Sequence, residues 1–323
     1  MGEENKGGFI GMKLIKKCEI CESKEFEFVF EGKDKSLEIP GKFRLVKCKK
    51  CGVLFINPQP SYKELEKYYS SDKYYSLKKI NKNSKKTKLK LFLYKIYFNP
   101  KRKNYFLRLL FSPIKFLVRG TEITKNKRLL DIGCGSGQFL YEMKRLDLKV
   151  SGIEPGEFDE KAAEKEGLNI KKMSLEKAKF KLNSFDLITM NHVLEHMSNP
   201  LESLREVKRI LKKEGRFIVS VPNYNSLAYK IFGKDWYQLD VPRHLFNYSD
   251  KILRKILEDE KFKIVKVRYN SRPSQFVVSL EYLLNRNFNK FIGGFLALIF
   301  LPLTWIVNIL KIGDQVEFWC KKR

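Results

Sequence analysis

With 323 residues the chain is long enough for two domains, or for one α/β domain with additions, and 43% hydrophobic and 13% aromatic residues exclude a disordered tail. Lys+Arg 65 against Asp+Glu 37 leaves a formal charge of +28, an excess that favours phosphate-bearing partners: nucleic acid, anionic lipid or a charged substrate. A general lysine bias of the source is the plain alternative. The first residues, MGEENKGGFIGMKLIKK, carry acids early and no apolar core of signal-peptide length, so the expected place is the cytoplasm.

Two C-x-x-C pairs come first: Cys18 and Cys21 in CEIC, then Cys48 and Cys51 in CKKCG. Two such pairs separated by a hairpin-length stretch bring four thiolates onto one tetrahedral ion, and in a reducing compartment that reads as structural zinc. Disulfides are the alternative in an oxidising compartment. Four ligands close the site, so zinc here stabilises a small domain and performs no chemistry. Apolar runs around it, EFEFVFEG, FRLVKC and GVLFINP, predict short strands, giving a zinc ribbon ending near Pro60 and a tyrosine-rich helical segment, SYKELEKYYSSDKYY; together they make a first region, residues 1–75.

Composition then shifts. From Leu77 to Arg128 there are seventeen basic residues and one acid, Glu122, interleaved with LFLYKIYF and FLRLLFSPIKFLV. Residues 76–120 therefore read as a basic amphipathic helical connector. Such a segment lies on an anionic membrane, grips RNA through phosphates and stacking, or packs its apolar side on the next domain.

Residues 121–323 form the third region. RLLDI (128–132) is a buried strand, and the chain turns at Gly133, Gly135 and Gly137 into a helix starting near Gln138. Glycines let backbone approach a ligand closely at a helix N-terminus. The dinucleotide fingerprint G-x-G-x-x-G is not met, because position 138 is Gln. Strand LKVSGI ends at Glu154, about twenty residues past the turn, where a carboxylate can accept both hydroxyls of a ribose. A helix, a strand NIKKM, a fourth strand FDLITMNHVLEH, the helix PLESLREVKRILKKEG and a fifth strand RFIVSVPN follow.

The form D-x-G-x-G-x-G from Asp131 to Gly137, with strands and helices in this order over about residues 121–271, resembles the class I S-adenosylmethionine (SAM)-dependent methyltransferases. The resemblance implies an α/β, Rossmann-like sheet, mostly parallel with an antiparallel last strand. It also implies that the glycine turn passes the methionine part of SAM while Asp131 helps hold its ammonium end through water or the turn. Ser174 and Leu175 fall where the family contacts adenine, although an Asp is usual there, and Asn191 and His192 fall beside the sulfonium.

All three histidines follow strand ends, on the side where α/β sheets bind ligands. His192 and His196 share an i, i+4 spacing, but HVLEH lacks the glutamate placement of H-E-x-x-H, so a structural role for His196 beside Glu195 is the expectation over a metal. Trp236, Asp240, Pro242, Arg243 and His244 resemble the W-x-x-x-D-x-P-R-H loop of bacterial methyltransferases that also carry the N-terminal zinc domain, which places this segment as a lid over the methyl group. If a hydroxyl is methylated its proton must be removed, and an imidazole suits that task. The candidate catalytic set is His244 as base, Asp240 as its orienter, and Arg243 as a ligand for a substrate phosphate or carboxylate; anchoring of the lid is the alternative role for PRHL.

Residues 291–310, FIGGFLALIFLPLTWIVNIL, are twenty residues without a charge. They lie between strands FKIVKVRYN and DQVEFWCKK, which the resemblance makes neighbours in one sheet, so a single membrane crossing is excluded. The insertion 272–313 must return to the side it left, as a helical hairpin or an interfacial helix, with Gly293, Gly294 and Pro302 as places to bend. A homodimer interface or a buried cap is the alternative use of this stretch. The layout resembles enzymes of bacterial polysaccharide, sugar and lipid-linked glycan pathways. The expectation is SAM-dependent O-methylation of a saccharide or isoprenoid-linked acceptor on the inner face of the cytoplasmic membrane. Quinone-type O-methylation, sugar C-methylation, and an RNA-binding methyltransferase or RNA adaptor are the alternatives.

Overall fold

The computed structural model describes residues 12–69, 80–82, 84–99 and 104–323. The end of the tyrosine-rich run (70–75) and parts of the basic segment lie outside the described residues. Residues 12–60 form five short strands: β1 (Met12–Lys13), β2 (Phe26–Gly32), β3 (Phe43–Cys48), β4 (Leu54–Ile56) and β5 (Gln59–Pro60). Helix α1 (Tyr62–Glu66) starts at a capping box in which Ser61 and Glu64 each accept the other's backbone N–H, satisfying two donors that would otherwise be unpaired. Helices α2 (Lys85–Phe98) and α3 (Tyr105–Leu110) are capped by the side chains of Ser84 and Asn104.

A seven-stranded sheet follows, assembled from β6 (Arg128–Ile132), β7 (Lys149–Ile153), β8 (Asn169–Lys171), β9 (Phe185–Asn191), β10 (Leu211–Pro222), β12 (Phe262–Tyr269) and β13 (Gln315–Lys322). Its order is β12-β13-β10-β9-β6-β7-β8. The five strands from β10 to β8 run parallel, and β13 runs antiparallel to both neighbours, as expected for the last strand. The crossovers include α4 (Gln138–Lys144), α5 (Glu160–Lys165), α6 (Pro200–Ile210), α7 (Leu227–Phe232) and α8 (Asp250–Asp259).

Alternation along the strands builds a core on each face. Leu130, Ile132, Ile188, Met190, Phe217 and Val219 join α6 and α8 in one core, while Leu129, Leu187, Ile218 and Trp319 join α2 and α4 in the other. Helix α2 thus turns Leu93, Tyr94 and Phe98 into the protein, so this half of the basic segment packs on the domain and keeps its apolar side from any membrane. Helix α3 does the opposite: Tyr105, Phe106 (74% exposed), Leu109 and Leu110 face solvent.

Two features join the N-terminal region to the large sheet. The short strand β11 (Phe246–Asn247) pairs with β4 and completes a four-stranded sheet, β11-β4-β3-β2. The first core is also continuous across both, taking in Ile15, Cys18, Val46 and Phe55 together with the strand residues above.

The insertion between β12 and β13 is two helices, α9 (Ser274–Leu284) and α10 (Lys290–Ile309). Because β12 and β13 are hydrogen-bonded neighbours, both ends of the insertion lie on one side. Helix α10 runs without interruption through Gly293, Gly294 and Pro302. It buries Thr304 and Val307, and exposes Phe291 (83%), Phe295, Leu298 (69%), Ile306 and Ile309 along one stripe.

Candidate active site

The parallel strands end at a cavity of ≈ 870 Å³, lined on one side by Gly133, Cys134, Gly135, Ser136, Asn191 and His192, and on the other by Tyr237, Gln238, Asp240, His244 and Tyr282. Helix α2 covers it with Lys86, Thr87, Lys90 and Tyr94. The glycine turn gets its shape from left-handed φ at all three positions, +65° at Gly133, +53° at Gly135 and +83° at Gly137. A Cβ on Gly133 would meet Val193 at 2.4 Å and one on Gly137 would meet Ile170 at 2.7 Å, so those two serve the protein's own packing. Gly135 borders the cavity, and its amide donates to Glu154 Oε2 at 2.8 Å.

Glu154 stands at the end of β7 as the spacing predicts, accepting from the amides of Gly135 and, at 2.9 Å, Gly156. Burial pushes its carboxyl up, against these amides. Each oxygen keeps a further lone pair for a ligand hydroxyl, although Glu154 itself does not line the cavity. Asp131 does not touch the cavity itself. It is wholly buried, absent from the cavity wall, and committed on one oxygen to Thr189 (2.6 Å) and on the other to Arg119. Burial raises its carboxyl and Arg119 partly offsets this. Its ion-pair partner Arg119 does line the cavity, and stacks 3.4 Å over the Phe139 ring. The Leu175 side chain is in the hydrophobic core, and neither it nor Ser174 borders the cavity.

The lid loop differs most. Arg243 is 1% exposed and does not line the cavity. It donates to Asp240 (2.6 and 3.0 Å), to Asp34 of the N-terminal region (2.9 and 3.3 Å) and to the Tyr68 carbonyl (3.3 Å). A substrate anion finds no free donor there, so Arg243 clamps the two regions together. His244 does line the cavity, but the Gln238 carbonyl orients it, accepting from Nδ1 at 2.8 Å; the Asp240 carboxylate faces Nε2 at 3.8 Å, beyond hydrogen-bond reach. Burial, and the neighbouring His196, hold its imidazole down at about 4, which makes it a weak proton acceptor. His196, beneath it, donates Nδ1–H to the Arg243 carbonyl at 2.9 Å, with the Tyr69 hydroxyl 3.0 Å away. His192 borders the cavity and pairs through Nδ1 with Glu195 at 3.2 Å.

Cys18 and Cys51 have their sulfurs 3.7 Å apart, Cys21 and Cys48 3.5 Å, and all four lie within 4.8 Å of one another. Zn–S bonds of about 2.3 Å at tetrahedral angles would separate sulfurs by about 3.8 Å, so the cluster fits a zinc ribbon. Asp34, Arg119 and Tyr69 carry no local sequence signal. Asp34 reads as a turn residue capping the amides of Ser36 and Leu37, and its second role exists only because Arg243 folds against it.

This sheet order, with a glycine turn after the first parallel strand and an antiparallel last strand, is that of the class I SAM-dependent methyltransferases. The family model described as methyltransferase domain matches residues 102–267, just over half of the chain, and the protein belongs to that family. It is 31% identical over 195 residues to the uncharacterized protein MJ0638 of Methanocaldococcus jannaschii, covering 57% of this chain and 76% of that one. It is 32% identical over 140 residues to a ubiquinone biosynthesis O-methyltransferase of Nitrosococcus oceani, covering 41% of this chain and 59% of that enzyme. A solved SAM-dependent methyltransferase from Archaeoglobus fulgidus is 21% identical, covering 72% of this chain and 99% of that one, with a TM-score of 0.43.

Proposed function

We propose that the enzyme methylates a hydroxyl of a saccharide or isoprenoid-linked acceptor presented at the cytoplasmic face of a membrane. The observation that carries this reading is that the cavity wall adjoins the exposed apolar helices. Tyr282 lines the cavity and is followed on α9 by exposed Leu283 and Leu284; Leu117 lines it from a 3₁₀ turn packed against α10. An acceptor with a lipid tail could leave that tail along α9, α10 and α3 while its hydroxyl enters the cavity. The charge of +28 complements an anionic leaflet.

In this reading the turn that Gly133 and Gly137 shape passes the methionine part of SAM at Gly135, Glu154 takes the ribose, Asn191 and His192 flank the sulfonium, and Arg119 faces the carboxylate. SAM supplies a methyl group on a cationic sulfur, so the protein's task is alignment and exclusion of water. The base role moves from His244 to His192. Its bond to Glu195 places the proton on Nδ1 and leaves Nε2 to accept the acceptor's proton. His192→Gln should lower kcat about 100-fold or more with KM for SAM little changed.

The test is transfer of tritiated methyl from SAM into a membrane lipid extract. Label should enter the organic phase, and mild acid should release it into water if the acceptor is a sugar joined through phosphate. Label that stays organic after acid selects the quinone-type acceptor, the chemistry in the name of the Nitrosococcus relative. Label entering RNA and not lipid overturns the reading.

Two further results are expected. The protein should float with anionic vesicles, and Phe295→Glu with Leu298→Glu should weaken this about 100-fold, since each lost apolar contact is worth roughly 1.5 kcal/mol or more. High salt should weaken binding without abolishing it, because screening removes only the charge contribution. The four cysteines we read as structural zinc: Cys48→Ser should remove one zinc per chain and lower the melting temperature. Activity should fall more than SAM affinity, because β4 holds β11, two residues beyond His244. Equal zinc content in wild type and variant would refute the zinc ribbon.

A further inference from the structure

All three histidines converge on one buried carboxylate. His196 and His244 each donate Nδ1–H to a backbone carbonyl, at 2.9 and 2.8 Å, and a carbonyl only accepts, so both rings present Nε2 with its lone pair. Glu195 is 0% exposed; Oε1 accepts from His192, while Oε2 has no hydrogen-bond partner. One ring nitrogen of each of His196 and His244 and one carboxylate oxygen of Glu195 lie within 4.8 Å of one another, and His244 Nε2 stands 3.9 Å from Oε1. A buried carboxylate oxygen without a partner is costly. The nearby guanidinium of Arg243 does not answer it, being spent on Asp34 and Asp240.

We propose that Glu195, His196 and His244 hold a divalent first-row transition-metal ion at the acceptor end of the cavity. Two neutral imidazoles and one carboxylate are a donor set for such ions, and a carbonyl behind each ring is the support that fixes a ligating tautomer. Three protein ligands leave positions open, and His196 and His244 both border the cavity, so an acceptor oxygen can complete the shell. An oxygen bound there gives up its proton more readily, to His192, which borders the same cavity. Two adjacent oxygens would chelate, which narrows the acceptor to a vicinal diol or an ortho-dihydroxy ring. This use rests on the methyl-transfer reading; metal binding itself does not.

The test needs neither acceptor nor SAM turnover. Full-length protein is equilibrated by dialysis against buffered zinc, and bound metal is counted. Wild type should hold one equivalent more than Glu195→Gln or His196→Gln, in variants that still gain thermal stability from SAM. Equal content overturns the proposal. If neither variant folds, manganese(II) titrated into wild type decides by its paramagnetic resonance signal, since manganese avoids thiolates. One tightly bound manganese per chain supports the site, and none overturns it.

Discussion

Gly135→Val should abolish SAM binding. The position lies in the left-handed region at φ +53° and borders the cavity, so a β-branched side chain there is strained and also occupies space the ligand needs. In wild type, SAM at about 100 times its Kd should add about 2.7 kcal/mol of stability, seen as a rise in melting temperature. The variant should melt in one transition with no rise, while Gly135→Ala retains part of it. NAD should shift neither, because the turn lacks the third glycine of the dinucleotide pattern. An equal shift by NAD and SAM in wild type would sink the cofactor assignment.

Arg243→Met should destabilise the fold more than any substitution at the cavity wall. It leaves Asp34 and Asp240 facing each other across a buried site without their shared cation, a loss of about 3–5 kcal/mol and a fall in Tm on the order of 10 °C. Adding Asp34→Asn should restore part of that, since one orphaned charge is then removed. A pH dependence accompanies it. Burial raises the Asp240 carboxyl, but His244 and Arg243 outweigh burial and hold it below the ordinary range. A lowered carboxylate contributes stability above its unfolded value, about 3.9, and loses it as pH falls through the folded value. Wild type should therefore shed this contribution on acidification below about pH 4, and Arg243→Met should show less of that loss. Were Arg243 a substrate ligand, the substitution would raise KM and leave Tm unchanged.

The framework is legible in the order of residues alone. Glycines alternating after RLLDI, an acid some twenty residues on, and apolar strands in order are local properties of the chain; they carry the resemblance to the class, and the antiparallel last strand follows from that resemblance. The charge-free run 291–310 is likewise legible as a helix that must return to its own side, since its two flanking strands share a sheet. The two C-x-x-C pairs announce a four-sulfur cluster because the hairpin between them is short.

Which side chains meet is settled only in the folded chain. PRH has the look of a catalytic triplet, yet Arg243 is consumed by Asp34, 209 positions away, and a backbone carbonyl orients His244. Asp131 sits in the motif that passes SAM, but packing encloses it and hands the cavity to Arg119. The N-terminal region reads as a small zinc domain, and in the folded chain it shares a core and a sheet with the rest through β11. The basic segment reads as one unit, while only α3 keeps its apolar side outward and α2 buries its own. In each case the reason is the same: a polar or apolar side chain announces what it needs, but which distant residue supplies it depends on how the crossovers and the insertion bring remote parts of the chain together.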